Sequence, residues 1–391
     1  MTACRGLRET VFAARPVRGG SACRDDESRE KRFGTVCAPA RYHKMPGLPT
    51  ALPPTGTCVN PVARDRLVNP LVALDHPATV VLLAVALAPL VVAPLVLRLG
   101  RRFIPVDVRR DAWRRYWGWV VIVPAMAATV LLGAAWVVVG VAGLSLLSFR
   151  EYARATGLFR EKFICYVVVV GIAVAHFAAL DHWYRLFVAT FPLAIACVAG
   201  FAAAQDRPKG YLQRVALGMV AFCLFGSCLG HLSYLANDTD YRPRLAVVLI
   251  AVGFWDVARY VTGKAVGGPK LAPHTNPDRT VSGAVGATIV VVAVVVLAGW
   301  VVFDKTPLQD IGRLTLLGLL IALAAQLGDL MLAAIKRDAG VETLDMMIPG
   351  HGGLLDRFDS LILVAPVAFH VINFYAGVGG DQPAGVFTGG P

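Results

Sequence analysis

The residues best suited to chemistry lie between positions 328 and 359. Gly328 and Asp329 sit inside the apolar run LGLLIALAAQLGDLMLAAIKR, which ends on Lys336 and Arg337. Downstream comes IPGHGGLLDRFDS, with Gly350, His351, Gly352, Gly353, Asp356, Arg357 and Asp359. An ionisable residue within an apolar span is costly to keep, so Asp329 is a functional candidate by default. Asp329 and Lys336 are seven residues apart and share one helical face, with Leu332 and Ala333 between them. The glycines permit close backbone approach to a ligand. Asp356 and Asp359 share a face if a helix starts there. Hard carboxylate oxygens hold a divalent cation, and Lys and Arg neutralise phosphate oxygens, so this set suits phosphoryl chemistry. Taken singly, each has a plainer explanation. Asp329 could be hydrogen-bonded structural glue, His351 a turn residue, and Lys336 and Arg337 markers of topology. The combination is what points to a site.

The elements that must position these groups are membrane helices. Of 391 residues, 56% are hydrophobic and 16% charged, where an ordinary soluble chain has about 25% charged. Apolar runs near the ~20 residues needed to cross a bilayer recur from residue 77 to 378. A soluble enzyme with a single core is excluded. The net charge of +12 fits Lys and Arg that orient loops better than it fits nucleic-acid binding, for which no signature is present. The eight cysteines form no C-x-x-C and no zinc pattern. Residues 1–75 form a polar tail too poor in apolar residues to offset its ordering entropy. Met45 opens more ordinary sequence and is the expected native start.

The expected fold is all-α and polytopic, with about ten membrane helices. The first span covers 77–97. The run from Trp117 to Leu147 is too long for one crossing, about 46 Å as a single helix, and both its flanks are basic. It is expected to be a tight hairpin of two short helices broken near Gly133. Further spans are expected at 163–180, 186–204, 212–235, 243–262, 283–303, 311–333 and 360–378. The segments 98–115 and 263–282 are expected to be loops. The Lys/Arg asymmetry puts 98–115 and 263–282 on the cytoplasmic side, and the alternation of spans puts 336–359 there too, although its acidic residues outnumber its Lys and Arg, with both termini outside. Residues 76–248 then form an N-terminal helical region, 249–378 the catalytic region and 379–391 a flexible end.

KRDAGVETLDMMIPGHGGLLDRFDS resembles the signature of the integral membrane phosphatidate cytidylyltransferases, the CDP-diacylglycerol synthases. The family pattern runs from Gly-Asp in a membrane helix, through Lys-Arg, to P-G-H-G-G-x-x-D-R-x-D. It is met without gaps by Gly328, Asp329, Lys336, Arg337, Pro349 to Gly353, Asp356, Arg357 and Asp359. DVARYVTGKAVGGPKLAPHTNPDRTVSG is similar to a second family block through Asp256, Tyr260, Gly263, Lys270, Leu271, Pro273, Pro277, Thr280 and Gly283. A weaker similarity covers 114–156, ending in Glu151-Tyr152. The chain departs from the family where Leu332 and Ala333 replace Glu and Ser, and Glu342 and Thr343 replace Lys and Asp. Asn276, Asp278 and Ser282 also differ. This marks a divergent member.

The resemblance implies transfer of CMP from CTP to phosphatidic acid, forming CDP-diacylglycerol and pyrophosphate. It implies Mg²⁺, one ion or two, with Mn²⁺ able to substitute. Asp329, Asp356 and Asp359 would hold the metal. Lys336, Arg337, His351 and Arg357 would be catalytic. Asp256, Lys270, Arg279, Gly350, Gly352 and Gly353 would bind substrate. The implied setting is a bacterial inner membrane with the active site facing the cytoplasm and a homodimer as the assembly. Rival readings are a transferase for another lipid phosphate, a polyprenol-kinase-like protein, an impaired paralogue and a transporter. A transporter is disfavoured because the polar groups collect at one face and no internal repeat is visible.

Overall fold

The computed structural model describes residues 67–70, 77–102, 106–341, 353–379 and 385–388. Among these, nine helices are long and apolar enough to cross a membrane, and the chain is a multi-pass membrane protein. They are α1 (Pro77–Leu99), α3 (Ala134–Ala155), α4 (Lys162–Leu180), α5 (Tyr184–Ala204), α6 (Tyr211–Leu235), α7 (Tyr241–Val266), α8 (Val281–Val302), α9 (Ile311–Asp338) and α10 (Leu355–Ala376). One further helix, α2 (Val106–Leu132), is apolar only over Tyr116–Leu132.

The all-α expectation holds, and most expected spans coincide with helices. The hairpin breaks at Gly133, whose φ of 139° is closed to ordinary side chains. A Cβ there would meet the Leu67 carbonyl oxygen at 2.3 Å. Two expectations are corrected. The hairpin arms are not both short, since α3 runs 22 residues through the basic FREYARA segment. The basic stretch 98–115 is not all loop, because α2 already begins at Val106. From Val106 on the sequence has Arg and Asp but no Gly or Pro before the apolar part, so the helix begins upstream of it.

The segment 263–282, expected as a loop, folds into an antiparallel pair, β1 (Lys270–Ala272) and β2 (Asn276–Thr280), with Lys270 opposite Thr280 and Ala272 opposite Asn276. Thr280 then caps α8 by accepting from the Gly283 N–H at 3.2 Å. Asp310 caps α9 by accepting from Arg313 N–H at 3.0 Å. Both caps satisfy helix-end donors that would otherwise be orphaned.

The core of the bundle is α7 to α10, where α7 packs on α8, α8 on α9 and α9 on α10. The α9–α10 contact is close at Gly328, where an added Cβ would lie 2.6 Å from the backbone oxygen of Asp359. Backbone cannot yield as a flexible side chain can. Gly328→Ala is therefore expected to lower stability by about 1–3 kcal/mol, the usual cost of overpacking. Thermal unfolding in detergent checks this. An unchanged midpoint would mean that α9 and α10 do not pack this tightly.

Candidate active site

Asp329 lies two turns before the end of α9 and is 2% exposed. A carboxylate so buried must be paired. Its partners come from two other elements. Arg259 of α7 donates from Nη1 at 2.9 Å. Arg279 of β2 donates from Nε at 2.9 Å to Oδ2 and from Nη2 at 2.7 Å to Oδ1. This bidentate fork fixes both the carboxylate plane and the guanidinium. Asn276 Nδ2 approaches Oδ2 at 3.4 Å. The β-hairpin thus folds back to carry Arg279 and Asn276 onto the membrane carboxylate.

Arg259 also donates from Nη2 to Asp256 Oδ1 at 3.1 Å, one turn earlier on its own helix. Asp256, Arg259, Asp329 and Arg279 therefore form one alternating chain of charges. Burial alone would lower the Arg279 pKa. The Asp329 carboxylate outweighs that and holds it above its ordinary value, so the guanidinium stays charged. Asp359 belongs to the same neighbourhood, since its backbone faces Gly328 and its carboxylate Oδ1 accepts from the Ser360 N–H at 2.6 Å and hydroxyl at 3.0 Å.

A second ion pair lies nearer the end of α9. Lys336 Nζ donates to Asp356 Oδ1 at 2.8 Å, and the Gly353 N–H reaches Oδ2 at 3.3 Å. Asp356 opens α10, as its place in D-R-x-D suggests. The start of that helix is fixed from elsewhere in the chain. Glu151 of α3, fully buried, accepts from the Leu354 N–H at 2.9 Å and the Leu355 N–H at 2.8 Å. A carboxylate at a helix N-terminus satisfies orphan donors and opposes the positive end of the dipole.

Glu151→Ala is expected to cost about 1–3 kcal/mol by leaving these buried donors unmet. Glu151→Gln keeps one acceptor oxygen and should cost less. Unfolding midpoints of the two variants check this. Equal stability of the Ala variant and the unchanged protein would remove Glu151 from this role.

The candidate residues are distributed as follows. Asp256, Arg279 and Asp329 come together, with Asp359 on the adjoining helix. Lys336, Asp356 and Gly353 form the second group. Arg357 is half-buried on α10, Arg337 is exposed at the end of α9 and Lys270 is exposed on β1. Gly350, His351 and Gly352 lie outside the described residues, as do the departures Glu342 and Thr343. Leu332 and Ala333 are both buried.

The set Asp329, Asp356 and Asp359 is not gathered around one point. Asp329 is held by Arg259, Arg279 and Asn276, and Asp356 by Lys336. Among the described residues no three His, Cys, Asp or Glu side chains are placed to hold a metal ion. A resident Mg²⁺ on these three carboxylates together does not fit this arrangement, because Asp329 already directs its oxygens to guanidinium groups. Arg259 was missing from the sequence-based candidates. It lies three residues after Asp256 in an apolar span, and the rule that singles out Asp329 applies to it equally. Glu151 could be noticed only as part of an acidic-aromatic pair.

What the arrangement offers chemically is anion handling. Two guanidinium groups and a lysine are held in place by carboxylates, ready to neutralise phosphate oxygens without reorganising.

The cytidylyltransferase family model matches residues 113–375. The chain is 31% identical to the uncharacterized protein YnbB of Escherichia coli strain K12 over 269 residues, covering 67% of this chain and 86% of that one. It is 35% identical over 158 residues to a phosphatidate cytidylyltransferase of Brucella suis biovar 1, covering 40% of this chain and 56% of that protein. A phosphatidate cytidylyltransferase of Bacillus subtilis strain 168 is 32% identical over 158 residues, at 40% and 58% coverage. The chain thus spans little more than half the length of these two named enzymes. The family match, in contrast, runs from α2 to the end of α10 and includes every charged residue of both ion-pair groups: the chain belongs to the cytidylyltransferase family.

Proposed function

We propose that the protein transfers CMP from CTP to phosphatidic acid, giving CDP-diacylglycerol and pyrophosphate. The observation that carries this reading is the charge chain Asp256–Arg259–Asp329–Arg279, centred on buried Arg259 and Asp329, next to the Lys336–Asp356 pair, inside the region that matches the family. An oxygen of the lipid phosphate attacks the α-phosphorus of CTP in line. The bond from that phosphorus to the oxygen bridging to the β-phosphorus breaks, and pyrophosphate leaves with the electron pair. The acceptor is already an anion, so the protein need supply no nucleophile. The barrier is the approach of two anions, and fixed cations lower it. Arg259, Arg279, Lys336 and Arg357 supply them. The carboxylates of Asp256, Asp329 and Asp356 hold Arg259, Arg279 and Lys336 in position. In this reading Mg²⁺ accompanies the triphosphate as its counter-ion rather than residing on Asp329.

The site faces the cytoplasm of a bacterial inner membrane in this proposal, because CTP is cytoplasmic and Lys and Arg gather at that end. Cysteines introduced at Gly268 and Thr239 test the sidedness, on a background with the native cysteines replaced. The first is expected to react with impermeant reagent only from the cytoplasmic side and the second only from outside. Labelling of both from one side would contradict the proposed topology. The lipid specificity is tested by competition. Unlabelled phosphatidic acid is expected to suppress transfer to a labelled lipid phosphate more strongly than a polyprenyl phosphate does. The reverse order would assign the protein to another lipid phosphate.

A further inference from the structure

One turn below the ion-pair layer the interior carries polar groups that nothing in the described protein satisfies. Trp255 is fully buried, and its Nε1–H has no hydrogen-bond partner among the described residues. Gln326 has both its Nε2 and its Oε1 buried and unpartnered. Trp255 is four residues before Arg259 on α7, and Gln326 is three residues before Asp329 on α9. Each therefore lies on the helix face that carries the ion pair. The Arg259–Asp329 bond at 2.9 Å ties α7 to α9 at that level. Both helices run from the Asp240 and Asp310 ends toward the site, so Trp255 and Gln326 lie in one layer on the side away from Lys336.

An unmet amide and indole N–H in a membrane interior cost several kcal/mol in hydrocarbon, so a partner that meets them there binds favourably. The partner must offer hydrogen-bond acceptors and must reach the layer from a phosphate bound among Arg259, Arg279 and Lys336. One helical turn is about 5.4 Å, a distance a glycerol backbone covers. A lipid phosphate whose head lies in the cation layer would bring its acyl ester carbonyls to this level, with its chains continuing into the apolar part of the bundle. Carbonyl oxygens accept from Trp255 Nε1–H and Gln326 Nε2–H.

We propose that Trp255 and Gln326 form a binding site for the ester carbonyls of a diacylglycerol phosphate and so select acyl esters over alkyl ethers. This deepens the proposed function and rests on its lipid substrate, but its readout is binding and does not require turnover. The probes are dioctanoyl phosphatidic acid and its dialkyl ether analogue, which carry the same phosphate and differ in the carbonyls. Their dissociation constants for the purified full chain in detergent are read from ligand-dependent thermal stabilisation.

The unchanged protein is expected to bind the ester about tenfold more tightly, the ratio of roughly one well-made hydrogen bond. Gln326→Leu and Trp255→Phe are expected to reduce that ratio severalfold and to leave ether binding as it was. Gln326→Leu removes an unmet polar group, so it should fold at least as well as the parent. Equal affinity for ester and ether in the unchanged protein would overturn the proposal. So would an ester preference that survives in both variants, which would mean that these groups are met by ordered water alone. An ester preference with no nucleotidyl transfer would uphold this site and defeat the transfer reading. Transfer with no ester preference would do the opposite.

Discussion

Asp329→Asn is expected to lower the rate of CMP transfer by roughly 10²–10³-fold, the usual scale for removing one fixed electrostatic element. It is also expected to destabilise the protein by about 3–5 kcal/mol. Both effects have one origin. Asp329 is 2% exposed and receives the paired N–H groups of Arg279 together with one from Arg259. Arg259 retains Asp256 when Asp329 is neutralised. Arg279, whose side chain is 22% exposed, loses its bidentate partner and keeps a weak amide acceptor in its place. The β-hairpin that carries Arg279 then loses its tie to α9, and the cations drift from where a phosphate needs them. Arg279→Lys separates the two effects. It keeps the charge and much of the stability but cannot make the parallel pair of bonds, so its loss should fall mainly on rate. An Asn variant that melts and turns over like the parent would show that the Asp329 ion pairs organise neither fold nor site.

Asp356→Asn is expected to lower transfer on a similar scale with little loss of stability. The contrast with Asp329 comes from solvent. The Lys336 and Asp356 side chains are 19% and 15% exposed, so their pair at 2.8 Å is partly solvated. Such pairs contribute about 0–1 kcal/mol, and Asn can still accept from the Gly353 N–H at the start of α10. What is lost is the charge that holds Lys336 at the mouth of the site. Activity within threefold of the parent would remove Asp356 from the catalytic arrangement. A large fall in the unfolding midpoint would show that its role is structural.

The parts of this site that could be read from the sequence are local. D-R-x-D with its preceding glycines marks the start of α10, and Gly133 breaks a run too long to cross once. Apolar runs of span length reveal membrane helices because the bilayer imposes that length. The partners of Asp329 could not be read in the same way. They come from positions 70 and 50 residues upstream, and the groups that cap α10 are met by a carboxylate 203 residues away. No helical period connects such positions. The two strands that bring in Arg279 were also hidden, since KLA and NPDRT have few of the branched and aromatic residues that favour strands. The expectation of a metal on three aspartates rested on residue type and on the family resemblance. In the structure Asp329 is met by Arg259 and Arg279, Asp356 by Lys336 and Asp359 by Ser360, and Arg259, an arginine inside a span, joins Asp329 to Asp256.

The most direct measurement follows two labels of CTP. The purified full chain is supplied with phosphatidic acid, Mg²⁺ and CTP labelled at either the α- or the γ-phosphorus. Transfer of CMP puts the α label into a CDP-lipid and the γ label into pyrophosphate, and this is the expected result. The α label remaining in free nucleotide while the γ label enters lipid would mean phosphorylation by a kinase and would contradict the proposed function. The same contradiction would follow if neither label entered lipid with phosphatidic acid or any other lipid phosphate offered.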